Sequence, residues 1–203
     1  MSAVRVALAT ANRHKASEMI VVLATPGIEL LGPDDLPPRD DIDETGHTLE
    51  ENALIKARAV CAVTGLPAIA DDTGLFVDAL GGKPGHHAAR YAGPDASYAD
   101  NVAKLLDALG DAPAESRRAA FRTAMALAMP DGREQVVRGA VYGRILGAPR
   151  GGAGFGYDPV FLIEPLGRTM AELPVVVKNV WSHRARAAVA ARRMLAALVE
   201  AKG

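Results

Sequence analysis

At 203 residues the chain can bury one substantial core, and 24 acidic against 23 basic residues leave a formal net charge of −1. That balance argues against a nucleic-acid polyanion or an acidic membrane as the main partner. The single cysteine, Cys61, excludes an internal disulfide. With no leader-like segment at the start, it points to a reducing cytoplasm.

Val4, Val6 and Leu8 alternate with smaller or basic residues, which predicts a strand. The apolar stretch from Val4 to Thr10 is far too short to span a bilayer. After the polar loop Thr10–Lys15, the residues Ala16, Met19, Ile20 and Leu23 recur at helical spacing and predict an amphipathic helix ending near Thr25-Pro26-Gly27. Pro33 to Glu44, rich in proline and acid, reads as a loop. Thr48 or Leu49 starts a second helix, with Ala53, Ala57, Val60 and Cys61 on one face and Gly65 as its stop. Ala68–Ala70 is a short buried strand closed by Asp71 and Asp72. Gly81–Gly85 is a turn, and Ser97 caps a helix bearing Val102, Leu105, Leu106 and Leu109, stopped at Gly110. Ala119–Met129 and Glu134–Tyr142 flank Pro130-Asp131-Gly132 as a hairpin. A glycine-rich loop leads into the strand Val160–Ile163, and the alanine-rich segment Ala185–Val199 closes the chain as a helix. Interleaved helices and strands with one hairpin predict an α/β fold on a mixed sheet, in a single domain over 1–203.

Five segments carry chemistry. Two like charges side by side, Asp71 and Asp72, repel each other, and each is costly to bury alone. Either a cation lies between them, for which Mg²⁺ is the natural candidate, or both face water in a turn. Thr10-Ala11-Asn12-Arg13-His14-Lys15 joins a strand to a helix, which offers backbone N–H groups and a positive dipole end to an anion, without the glycines of a P-loop. The same residues would serve equally as an ordinary loop and cap. Glu44 could supply a second metal carboxylate, and Lys56 shares a helix flank with Asn52 and Ala53, either solvated or paired with Asp71 or Asp72. Phe155-Gly156-Tyr157-Asp158 combines aromatics and an acid, suited to stacking on a planar ring or to a turn with core aromatics. Lys178, His183 and Arg184 place cationic groups just before a helix, where the dipole opposes them. Together these features describe a nucleotide polyphosphate site.

The ordered motifs Thr10-x-Asn12-x-x-Lys15, Glu44-Thr45-Gly46, Glu51–Ala57, Ala70–Leu75, Gly81–Gly85, Ala89–Tyr91, Gly154–Pro159 and Ser182-His183-Arg184 resemble the inosine triphosphate pyrophosphatase (XTP/dITP diphosphatase) family over nearly the whole chain. The resemblance implies an elongated mixed α/β fold of two lobes with a cleft between them, and a homodimer. It implies Mg²⁺-dependent hydrolysis of ITP, dITP and XTP between the α- and β-phosphates, which would cleanse the nucleotide pool. By the same resemblance Thr10, Ala11, Asn12, Arg13, His14 and Lys15 bind the triphosphate. Glu44 and Asp72 hold the metal, and Asp72 is also the general base, supported by Lys56 and Asp71. Thr73 contacts substrate, while Phe155, Gly156, Tyr157, Asp158, Lys178, His183 and Arg184 hold the purine and its phosphates. The chain departs from the family pattern at His86-His87, at Val175-Val176-Val177 before Lys178, and at Trp181. A silent nucleotide-binding module and a pyrophosphatase for another triphosphate are the competing readings. If the acidic pair lies in extended chain, its two side chains face opposite ways. Asp72 then serves metal and water, and Asp71 turns away or toward Lys56.

Overall fold

The computed structural model describes residues 3–38 and 41–201, so positions 39 and 40 of the predicted Pro33–Glu44 loop lie outside the described residues. In chain order the elements are β1 (Val4–Leu8), α1 (Arg13–Val22), β2 (Ile28–Leu31), α2 (Leu49–Thr64), β3 (Ala68–Val77), β4 (Pro84–Gly85), α3 (Tyr98–Leu109), β5 (Arg118–Ala128), β6 (Glu134–Ile145), β7 (Phe161–Ile163), β8 (Arg168–Thr169), α4 (Val175–Trp181) and α5 (His183–Glu200). The strands form a mixed eight-stranded sheet in the order β2-β1-β3-β5-β6-β7-β8, with β4 paired to β3. β1 runs parallel to β2, in register Val4↔Ile28, and to β3, in register Ala7↔Ala68. The pairs β3–β4, β6–β7 and β7–β8 are antiparallel.

Two compact units divide the chain: Met1–Asp72 with Thr123–Gly139 and Arg184–Gly203, and Thr73–Arg122 with Ala140–His183. The core of the first is built from Val6, Leu8, Met19, Leu23, Ile69, Met125 and Leu127 with the alanine face of α5. Ala187, Ala188 and Ala191 are fully buried there, and small side chains let a helix backbone approach its neighbours closely. In the second unit Leu75, Val77, Leu105, Phe121, Phe161, Ile163 and Met170 form the core, with the Phe121 and Phe161 ring centroids 4.7 Å apart.

Helix ends follow the predicted signals. Thr48 Oγ1 accepts from Glu51 N and Glu51 reaches back to the cap, while Gly65 ends α2 at φ +66°. Ser97 and Asp100 make the same box at the start of α3. Two expectations change, and one strand has no counterpart in the sequence reading. Ile20 is exposed and Val22 takes the buried place in α1, because the helix stops at Leu23 with its inner face already set by Ala16 and Met19. The edge strand β2 escapes the periodicity, being four residues long with Glu29 in it. Most consequentially, β3 does not close at Ala70: it runs ten residues through the acidic pair to Val77. Buried cations there let a strand carry two buried carboxylates.

Candidate active site

In the first unit, β1 delivers the chain into α1 through Thr10–Asn12. Asn12 caps the helix, its Oδ1 accepting from Lys15 N at 3.1 Å, while Asn12 N donates to Thr10 Oγ1 at 3.1 Å. Thr10 is buried and Lys15 half-buried; Ala11, Arg13 and His14 are exposed. Arg13 pairs with Asp34 on the surface at 2.7 Å. Lys15 Nζ lies 3.6 Å from Asp71 Oδ1. Burial pushes the Lys15 ammonium below its ordinary pKa, against the pull of Asp71.

Alternation along β3 sends the two carboxylates to different cations. Asp72 Oδ1 accepts from Lys56 Nζ at 2.8 Å, and Glu44 Oε1 meets the same ammonium at 3.3 Å. Asp71 is not drawn to Lys56 as its ion-pair partner. Its Oδ2 accepts from Arg184 Nε at 3.1 Å and from Arg184 NH2 at 2.9 Å. Arg184 NH1 donates to Glu18. Burial alone would raise the Asp71 pKa; Lys15, Arg184 and Lys56 overcome it and hold this carboxyl well below the usual carboxylate range. Asp72 goes the other way. Burial raises its pKa, with the like charge of Glu44 in the same direction and Lys56 and Lys15 opposing. The Lys56 ammonium is penalised by burial but held charged by Asp72, Asp71 and Glu44.

Asp72 Oδ2 is buried and has no hydrogen-bond partner among the described residues. An acceptor of that kind fits a cation arriving with a ligand. Among the described residues there is no cluster of three or more His, Cys, Asp or Glu side chains able to hold a metal. A magnesium ion does not need one, because it binds through one or two carboxylates and completes its shell with water and phosphate oxygens. Glu44 and Asp72 therefore fit Mg²⁺.

In the second unit the Gly154–Asp158 loop folds back on one carboxylate. Asp158 Oδ2 accepts from Lys178 Nζ at 2.6 Å and from Phe155 N at 3.1 Å. Gly154 stands at φ +78°, and a Cβ there would lie 2.1 Å from Asp158 Oδ2, so the approach requires glycine. The half-buried Phe155 ring has Lys178 Nζ 5.2 Å from its centroid and Tyr98 at 5.8 Å. Gly156 and Thr73 are half-buried.

Other expected site residues have different surroundings. Tyr157 is a core residue: it packs among the second unit's apolar side chains and its hydroxyl donates to Ala88 O at 2.8 Å. It shapes the loop and does not present a stacking face. Lys178 lies within α4, not ahead of a helix, and His183 and Arg184 open α5. His183 is buried and stacks on Phe121 at 4.7 Å. Arg184 is only 2% exposed and its guanidinium is engaged by Asp71 and Glu18, which makes it a partner of the acidic strand in place of an open cation. The departures around α4 leave Lys178 in place: Val175, Val176 and Val180 are exposed, while Lys178 is buried and Val177 and Trp181 pack on the core. The His86 and His87 rings touch at 3.9 Å.

Two contributing residues carry no expectation from the sequence: Glu18 and Phe121. Glu18 had a signal, since it follows Lys15 at the i+3 spacing that puts both on one flank of α1. Phe121 had none, because its stacking partner is far away in sequence.

A model of the Ham1 family matches residues 6–194. The dITP/XTP pyrophosphatase of Symbiobacterium thermophilum is 48% identical over 200 residues, covering 98% of this chain and 99% of that protein. That of Geobacter sulfurreducens is 49% identical over 183 residues, 90% of this chain and 92% of its own. Among solved structures, the Staphylococcus aureus Ham1 protein aligns with a TM-score of 0.84 at 38% identity, covering 96% of this chain and 99% of that one.

Proposed function

The chain belongs to the Ham1 family, and on that premise we propose that it hydrolyses deaminated purine nucleoside triphosphates (ITP, dITP and XTP) to the monophosphate and pyrophosphate. The whole of 1–203 then works as one pyrophosphatase domain that clears such nucleotides from the pool. The observation that carries the reading is the Lys56 ammonium held between Glu44 and Asp72, with Asp72 Oδ2 buried and unpartnered among the described residues.

Asp72 is the catalytic residue of this proposal. It would take the proton of the attacking water, with Lys56 beside it to receive the resulting charge change. Lys56 holds Asp72 and Glu44 together and offsets their repulsion. Glu44 and Asp72 would hold Mg²⁺, which neutralises phosphate charge and polarises water when bound. Thr10 to Lys15 meet the triphosphate through the cap of α1 and the Lys15 ammonium. Asp71, kept ionised by Arg184 and Lys15, holds Lys15 in place. Thr73 offers a hydroxyl to substrate.

Base recognition falls to Phe155, Gly156, Asp158, Lys178 and His183. Phe155 stacks on the purine, and donors such as Lys178 Nζ meet the 6-oxo group. Adenine would leave such donors facing an amino group, a mismatch that costs discrimination energy. A homodimer and a cytoplasmic setting complete the proposal. The cytoplasmic setting agrees with a lone cysteine, and the homodimer is what the family resemblance implies.

The test is product analysis with ITP, dITP, XTP, GTP and ATP, with Mg²⁺ and with chelator. Release of pyrophosphate and monophosphate from the first three, only with Mg²⁺, is the expected outcome. Release of orthophosphate would refute the proposal.

A further inference from the structure

We infer that Asn52 is a positioning residue: it fastens the Glu44–Gly46 loop to the first turn of α2, so that the Glu44 carboxylate stays beside Lys56 and Asp72. The inference rests on the reading of Glu44 and Asp72 as metal carboxylates.

Asn52 is completely buried on a helix whose other buried residues, Lys56 apart, are apolar, so its amide needs a use. That use is Gly46. Asn52 Oδ1 accepts from Gly46 N at 2.8 Å, two residues beyond Glu44. The next two N–H groups are gathered by the neighbouring side chain: Glu51 Oε2 accepts from His47 N at 2.6 Å and from Thr48 N at 3.2 Å. Three consecutive backbone donors therefore end on the adjacent residues Glu51 and Asn52. The loop is pressed so closely to the helix that a Cβ at position 46 would lie 2.6 Å from Glu51 Cβ and 2.7 Å from Asn52 Oδ1. Asn52 also precedes Lys56 by one turn, so loop and ammonium are held from the same flank of α2. A plain helix cap explains the exposed Glu51 contacts but not the buried Asn52. The second amide donor, Asn52 Nδ2, is buried with no acceptor among the described residues, so the hold of this side chain on the loop runs through its oxygen.

The test uses Asn52→Ala and Gly46→Ala, which loosen the loop from opposite sides. Two quantities are read: Mn²⁺ affinity of the nucleotide-free protein, and Mg²⁺ half-saturation of ITP hydrolysis. Both variants should weaken metal binding by about 10–100-fold, the usual cost of removing support from a metal ligand, with a far smaller change in nucleotide KM. A merely structural Asn52 would lower Tm and leave both metal constants alone. A folded variant of either kind with wild-type Mn²⁺ affinity overturns the inference. Should neither variant fold, hydrogen exchange on the wild type decides: Mn²⁺ should slow exchange at Gly46–Thr48, and unchanged exchange counts against it. Wild-type protein that binds no metal, or releases no pyrophosphate from ITP, would instead sink the functional reading on which the inference stands.

Discussion

Each unit contains a short, buried lysine–aspartate pair, and the two are built from the same groups: Lys56 with Asp72 at 2.8 Å, and Lys178 with Asp158 at 2.6 Å. They end differently. The Asp158 oxygen that meets Lys178 also takes the Phe155 N–H, so that carboxylate ties a loop shut. Asp72 spends Oδ1 on Lys56 and keeps Oδ2 buried and unpartnered among the described residues. An ion pair is therefore not by itself a mark of chemistry. What separates the two pairs is what shares them: the Phe155 N–H joins Lys178 on Asp158, whereas at Lys56 a second carboxylate, Glu44, joins Asp72 on the ammonium.

The largest effect should come from Asp72→Asn, which keeps the shape and removes the base. Turnover of ITP is expected to fall by about 10²–10⁴-fold, measured by pyrophosphate release. A near-normal rate would erase the distinction between the pairs. Asp158→Asn should act on binding: KM for ITP rises about tenfold, the worth of one charge-assisted hydrogen bond at roughly 1.4 kcal/mol, while kcat changes little. A collapse of kcat would make the second pair catalytic as well. Gly154→Ala pushes on the same carboxylate from the backbone side. It should raise KM in the direction of Asp158→Asn and cost about 1–2 kcal/mol of stability for a non-glycine residue at φ +78°. Smallest is Gly65→Ala, where φ is +66° and a Cβ meets nothing within 4 Å. Thermal unfolding should show a loss of about 1 kcal/mol, with unchanged kinetics. Together the two glycine variants separate backbone strain from damage to the base-binding loop.

Much of the fold was legible. The Thr48 and Ser97 caps, the Gly65 and Gly110 stops and the turn at Pro130–Gly132 are local signals, and the structure places elements on them. β3 was cut short because Asp71 and Asp72 break an apolar run, and nothing local announces that Lys56 and Arg184 will neutralise them. The same blindness affects the candidate site. The capping role of Asn12 follows from neighbours in sequence. The burial of Tyr157 and the engagement of Arg184 depend on Ala88, Asp71 and Glu18, which lie far along the chain. A cation or an aromatic ring in a loop motif looks available until its distant partners are known.

The guanidinium shared by Asp71 and Glu18 has a consequence for how such a sequence can drift. Arg184 is nearly sealed from water, so neutralising it takes a cation from two carboxylates at once, at about 3–5 kcal/mol for a buried pair broken from one side. Losing Glu18 alone leaves Arg184 with Asp71 and is milder, because Glu18 keeps some solvent. Substitutions at the three positions are therefore epistatic, and their order matters: Glu18 can change first, Arg184 only after a replacement charge is present. The accessible mutational paths run through the helix-borne acid, not through the strand or the arginine.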